Sequence, residues 1–126
     1  MALSKQYRLR SPRSFSKVYR QGRRASSHYL AVKALQQQIP DAPSVLEGGS
    51  GICFGVSISR KVHKRAVVRN RIKRQIHAAL RTLIPKADGA WWVVINVRPT
   101  ATSCEYYDFL QELEKLLMEL EVLHGN

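Results

Sequence analysis

Residues 91–97 read Trp-Trp-Val-Val-Ile-Asn-Val and are closed off by Pro99. A near-continuous apolar run of this kind predicts a strand buried on both faces. Such a strand cannot stand alone, because each face needs other elements laid against it. Successive side chains alternate between faces, so one of Trp91 and Trp92 enters the core while the other meets a second packed layer or the surface.

The elements around this strand are well punctuated. Ser11 suits a helix N-cap, Pro12 the first helical position and Gly22 the position just past the last turn. Between them, Phe15, Val18 and Tyr19 share one helical face. Residues 29–35 alternate Leu30, Val32 and Ala34 against Tyr29, Ala31 and Lys33, a strand with unlike faces, and residues 23–27 predict a short edge strand before it. Residues 36–50 hold Pro40, Pro43, Gly48 and Gly49 and keep no period, which reads as a long connection between antiparallel strands. Residues 51–59 set Ile52, Phe54, Val56 and Ile58 on one face, opposite the small Cys53, Gly55, Ser57 and Ser59. A helix over 65–83, ended by Pro85, precedes the apolar strand. Thr102 and Glu105 have capping-box spacing ahead of a final helix whose stripe is Tyr106, Phe109, Leu110, Leu113, Leu116, Leu117 and Leu120. A length of 126 residues fits one compact domain, 1–126, with 1–10 as a basic arm, extended or mobile, and 36–50 as a long loop.

Charge narrows what this domain can meet. Its 21 Lys and Arg outnumber nine Asp and Glu, for a net charge of +12. A fold with that excess repels itself unless a polyanion neutralises it, and nucleic acid is the first candidate. The charges are also sorted. Before Glu105 stand 20 cations and only Asp41, Glu47 and Asp88, a formal +17, whereas from Glu105 onward six acids face Lys115 alone, a formal −5. One end is therefore suited to phosphate and the other is not.

Several function classes drop out on the same reading. No apolar run approaches the roughly 20 residues that span a bilayer, which argues against a membrane partner. The first residues lack the apolar segment of a secretory signal, so the expected compartment is the cytoplasm. Cys53 and Cys104 have no CxxC or Cys/His spacing and read as two reduced thiols. His28, His63, His77 and His124 form no HxH or HExxH pair. Neither a metal site, a protein-bound cofactor nor a catalytic residue is expected.

The most informative segment is 59–74, Ser-Arg-Lys-Val-His-Lys-Arg-Ala-Val-Val-Arg-Asn-Arg-Ile-Lys-Arg, in which nine of sixteen residues are Lys, Arg or Asn. At about 100° per residue, Val68, Ile72, Ile76, Ala79 and Leu83 fall within roughly a quarter-turn and can seat against a sheet. Arg69, Asn70, Arg71, Lys73 and Arg74 fan around the rest. Guanidinium forks grip phosphate oxygens with paired hydrogen bonds, and each neutralised phosphate releases counterions. An amide such as that of Asn70 both donates and accepts, so it can fix a neighbouring side chain or a 2′-hydroxyl.

Residues 64–74, Lys-Arg-Ala-Val-Val-Arg-Asn-Arg-Ile-Lys-Arg, closely resemble the Arg-Asn-Arg signature of bacterial RNase P proteins. The resemblance extends over roughly residues 7–120 through the early helix, Phe54-Gly55-Val56-Ser57 leading into Ser59-Arg60-Lys61, and Arg98-Pro99. It implies an α/β (α+β) two-layer sandwich of αβββαβα order, with an approximately four-stranded mixed sheet packed by helices and a left-handed βαβ crossover around the signature helix. It further implies that the partner RNA is the catalyst, cleaving the 5′ leader from precursor tRNA with Mg²⁺ bound mainly by the RNA, and that a monomeric protein binds it 1:1. Two surfaces are then expected. Arg60, Lys61, Arg65, Arg69, Asn70, Arg71, Lys73 and Arg74 contact the catalytic RNA. Phe15, Lys17, Tyr19, Tyr29 and Lys33 line a cleft between the first helix and the sheet that receives the precursor tRNA leader. Without the motif, a general RNA-binding or ribosomal protein fits the composition equally well. A protein-only nuclease would keep cleaving without RNA, and a DNA-binding helix-turn-helix lacks its short leading helix.

Overall fold

The computed structural model describes residues 3, 7–37, 51–87 and 89–123. In chain order the elements are α1 (Pro12–Gln21), β1 (Arg23–Ser26), β2 (Leu30–Gln37), β3 (Cys53–Ser57), α2 (Ala66–Leu83), β4 (Ala90–Val97) and α3 (Tyr106–Glu119). This is the αβββαβα order implied by the resemblance. The four strands form one mixed sheet in the order β1-β2-β4-β3, with β4 antiparallel to β2 and parallel to β3.

The apolar strand lies inside the sheet, and its alternation sorts two packed layers. Trp91, Val93, Ile95 and Val97 join α2 and α3 in the main core. On the other face, Val94 and Trp92 meet Val18 and Phe15 of α1, with Leu9, Leu35 and Cys53. The two tryptophans therefore divide between the layers. So do the cysteines, Cys53 facing α1 and Cys104 buried in the main core. The sandwich thus carries an addition to its two layers, a single helix on the second face.

Local chemistry explains the helix ends. Ser11 caps α1, its hydroxyl accepting from the Arg13 N–H at 3.2 Å, with Pro12 behind it. Gly22 ends α1 with φ −73°, in extended rather than left-handed backbone. Close approach accounts for the glycine: a Cβ there would lie 2.6 Å from the Val18 carbonyl oxygen and 3.2 Å from that of Ala34. At the final helix the capping box is Glu105 with Asp108, three residues later than the Thr102–Glu105 spacing predicts. Pro99 opens a 3-10 turn over Pro99–Ser103 that absorbs Thr102, whose hydroxyl donates to the Pro99 carbonyl at 3.2 Å.

Two further expectations change. The 36–50 connection begins later, because Gln36 and Gln37 belong to β2, and the remainder, 38–50, lies outside the described residues. The strands on either side, β2 and β3, do run antiparallel as expected, with β4 inserted between them. The 1–10 arm is fastened where it is described: Leu3 is fully buried, Leu9 nearly so, and the Leu9 N–H donates to the Phe54 carbonyl at 2.8 Å. An apolar residue within a basic stretch gains by burial whatever its neighbours' charge, at about 1.5–3 kcal/mol for a leucine.

Candidate nucleic-acid interface

The signature helix is held by its apolar side. Ile72, Ile76, Ala79, Leu80 and Leu83 of α2 are buried in the main core, with Val68 half-buried against it. Truncating one of the large ones to Ala costs about 2–5 kcal/mol, which keeps the opposite arc fixed in direction. On that arc Asn70, Arg71, Lys73 and Arg74 are exposed, as are Arg60, Lys61 and Arg65 in the approach. Among the described residues the ion pairs are Arg23–Glu121 and Lys86–Glu114, neither of which involves a cation of the arc, so the arc keeps its charge.

Arg69 has a different position. Its guanidinium turns back and donates from one terminal nitrogen to the carbonyls of His63 at 2.8 Å and Lys64 at 2.9 Å. The first turn of α2 has no side-chain cap at Arg65, and the Arg65 N–H instead donates to Nδ1 of His63 at 3.1 Å. Val62, almost fully buried, anchors the same loop in the core. Arg69 thus braces the loop that carries Arg60 and Lys61. Arg71 reaches the Thr102 carbonyl at 3.3 Å and ties α2 to the 3-10 turn before α3.

The remaining signature residues converge on a cleft of about 460 Å³ at the outer edge of β3. Asn70, Lys73, Arg74 and His77 of α2 form one wall, Arg8 and Leu9 another, and Phe15 of α1 with Phe54, Gly55 and Val56 of β3 complete it. The small face of β3 allows this: a Cβ at position 55 would come within 2.3 Å of the Phe15 ring, so the glycine lets the aromatic lie against the strand backbone. Two surfaces that the sequence reading keeps apart, the basic helix and the aromatic of α1, therefore share one cavity.

Four residues expected in the leader cleft are not among those lining it. Tyr19 donates to Oδ1 of Asn96 at 2.9 Å, and Lys33 donates to the Tyr19 carbonyl at 2.8 Å with its ammonium 5.6 Å from the Tyr19 ring centroid. Lys17 lies 5.6 Å from the Trp92 ring centroid and lines a separate groove along α1 with Arg13, Ser16 and Arg20. Tyr29 packs partly on the main core and stacks edge-on with His28, centroids 5.0 Å apart. Conversely, Arg8, Leu9, Phe54, Gly55, Val56 and His77 line the cleft and are not among the site residues expected from sequence. The alternation of small residues along β3 was the one signal that pointed there.

His77 is the buried polar side chain of the described core. Burial first, then the nearby cations Lys73, Arg8 and Arg81, push its pKa down to about 4. It is therefore neutral at physiological pH.

The family model for Ribonuclease P matches residues 3–121. The chain is 48% identical to the Ribonuclease P protein component of a Cyanothece species over 98% of both chains, and 48% identical to that of a Picosynechococcus species over the full length of both. Its fold is similar to the RNase P protein of Staphylococcus aureus, with a TM-score of 0.76 and 21% identity over 94% of this chain and 98% of that one. The RNase P protein of Thermotoga maritima gives a TM-score of 0.71 at 19% identity, covering 94% and 98%. The family match over residues 3–121 and the 48% identity to full-length relatives place the chain in the bacterial RNase P protein family, on whose fold Phe15 and the Arg-Asn-Arg helix share one cleft.

Proposed function

We propose that this chain is the protein subunit of the ribonucleoprotein endoribonuclease that removes the 5′ leader from precursor tRNA. Its exposed arc of Arg60, Lys61, Arg65 and Arg71 binds the catalytic RNA, one chain to one RNA. The edge cleft receives a single-stranded nucleotide of the leader. The observation that carries this reading is the meeting of Phe15 with Asn70, Lys73 and Arg74 in one cavity. A base stacked on an aromatic ring gains roughly 1–3 kcal/mol whatever its identity, which suits a subunit that serves many precursors. Lys73 and Arg74 supply charge for the flanking phosphates, and Asn70 a donor and acceptor for a ribose hydroxyl. Catalysis is assigned to the RNA. The Mg²⁺ that this cleavage needs is assigned to the RNA as well, as the family resemblance implies.

The test is differential binding by the reconstituted holoenzyme. Phe15→Ala and Lys73→Ala should each weaken leader-bearing precursor by roughly tenfold while leaving affinity for mature tRNA nearly unchanged. Equal losses on both RNAs would remove the leader from the cleft.

A further inference from the structure

The segment before α1 is tied to the cleft through Leu3. This residue is fully buried, and both of its backbone polar groups are engaged: its N–H donates to Nδ1 of His77 at 3.3 Å, and its carbonyl accepts from Nε of Arg8 at 2.7 Å. Beyond Arg8, the Leu9 N–H donates to the Phe54 carbonyl at 2.8 Å, and Arg8 itself pairs with Phe54 in parallel register. Leu3, Arg8 and β3 are thus linked in series, and the link ends at His77. For Nδ1 to accept, the imidazole must carry its single proton on Nε2.

Among the described residues, Arg8 is the one cation in the cleft wall that does not come from α2. With Nε committed to Leu3, the N–H groups of its two terminal nitrogens remain as donors, and the side chain is held in place rather than sampling many rotamers. An arginine ordered in advance loses less freedom when it grips a phosphate. We propose that His77 is a positioning residue for RNA binding: by anchoring Leu3 it holds Arg8 in the cleft wall, where the guanidinium takes the phosphate beside the nucleotide seated on Phe15. This rests on the cleft reading given above, and it adds a residue that touches no phosphate itself.

A double-mutant cycle on the holoenzyme tests it, with leader-bearing precursor and mature tRNA as the two ligands. His77→Phe keeps a ring but removes the acceptor, and should weaken precursor about fivefold relative to mature tRNA. Arg8→Ala should do at least as much, and the double variant should lose no more than Arg8→Ala alone, because the anchor acts through Arg8. Leu3→Pro, which removes the donor from the other side, should give the same selective loss, and His77→Gln, which restores an acceptor, should recover part of it. Multiplying effects in the double variant, or equal weakening of both RNAs by His77→Phe and Leu3→Pro, would overturn the proposal. If Phe15→Ala and Lys73→Ala retain the leader preference, the cleft reading fails as well. If they lose it while His77→Phe keeps it, the anchor alone is wrong.

Discussion

The Phe15 ring fills the space that a side chain at position 55 would need: a Cβ on Gly55 would sit 2.3 Å from its Cζ and 2.7 Å from its Cε1. Gly55→Ala must therefore displace the ring or the strand. The expected cost is about 1–3 kcal/mol of stability, as for other overpacked sites. Most of it should vanish when Phe15→Ala is already present. Urea denaturation of the two single variants and the double variant reads this directly, and simple additivity would contradict the contact.

Arg69 and Arg71 should separate in behaviour despite flanking the same asparagine. Arg71→Ala should lower the slope of log affinity against log salt by about one unit and cost only about 0.5 kcal/mol of stability, since it removes a phosphate contact and one long, exposed bond to the Thr102 carbonyl. Arg69→Ala also removes the brace to His63 and Lys64, so it should cost about 1–3 kcal/mol of stability and weaken RNA binding through Arg60 and Lys61 as well. Salt titrations of RNA affinity alongside thermal melts distinguish the two. Matching stability losses in both variants would show that the brace contributes nothing.

His77 gives the fold an acid-side pH dependence. Its pKa falls from 6.5 to about 4 in the folded chain, chiefly through burial. Between those values the unfolded chain binds the extra proton, so stability from this group is complete above about pH 6.5 and declines as pH falls toward 4. The slope is bounded by one proton, or at most about 1.4 kcal/mol per pH unit. Urea unfolding at pH 7, 5.5 and 4.5 should show a steeper decline in the wild type than in His77→Phe, and parallel declines would remove His77 as the cause.

Much of this architecture is legible in the residues themselves because the governing interactions are local or periodic. The apolar run from Trp91 to Val97, interrupted only by Asn96, implied cover on both faces, and the alternation along β3 marked the small-residue face against which Phe15 lies. The inward side of α2 likewise follows from the spacing of Ile72, Ile76 and Leu83. The site was less legible because its walls meet through long-range packing. Nothing in the spacing of Leu3 and His77, 74 positions apart, links them. Tyr19 and Lys33 look like neighbours of Phe15 in one cleft from sequence, whereas the Tyr19 hydroxyl has Asn96 of β4 as its partner at 2.9 Å, a residue that only the sheet register brings near. Arg69 carries the charge pattern of its neighbours, and only the path of the preceding loop shows that it braces carbonyls.

In the proposed function the chain serves a catalytic RNA and does not itself cut. Reconstitution with purified RNase P RNA and a leader-bearing precursor tRNA at low Mg²⁺ tests it most directly. Adding the chain should restore accurate 5′ cleavage that the RNA alone performs poorly, Phe15→Ala should reduce this restoration, and the chain without the RNA should cleave nothing. Cleavage by the chain alone, or no restoration when chain and RNA are combined, would contradict it.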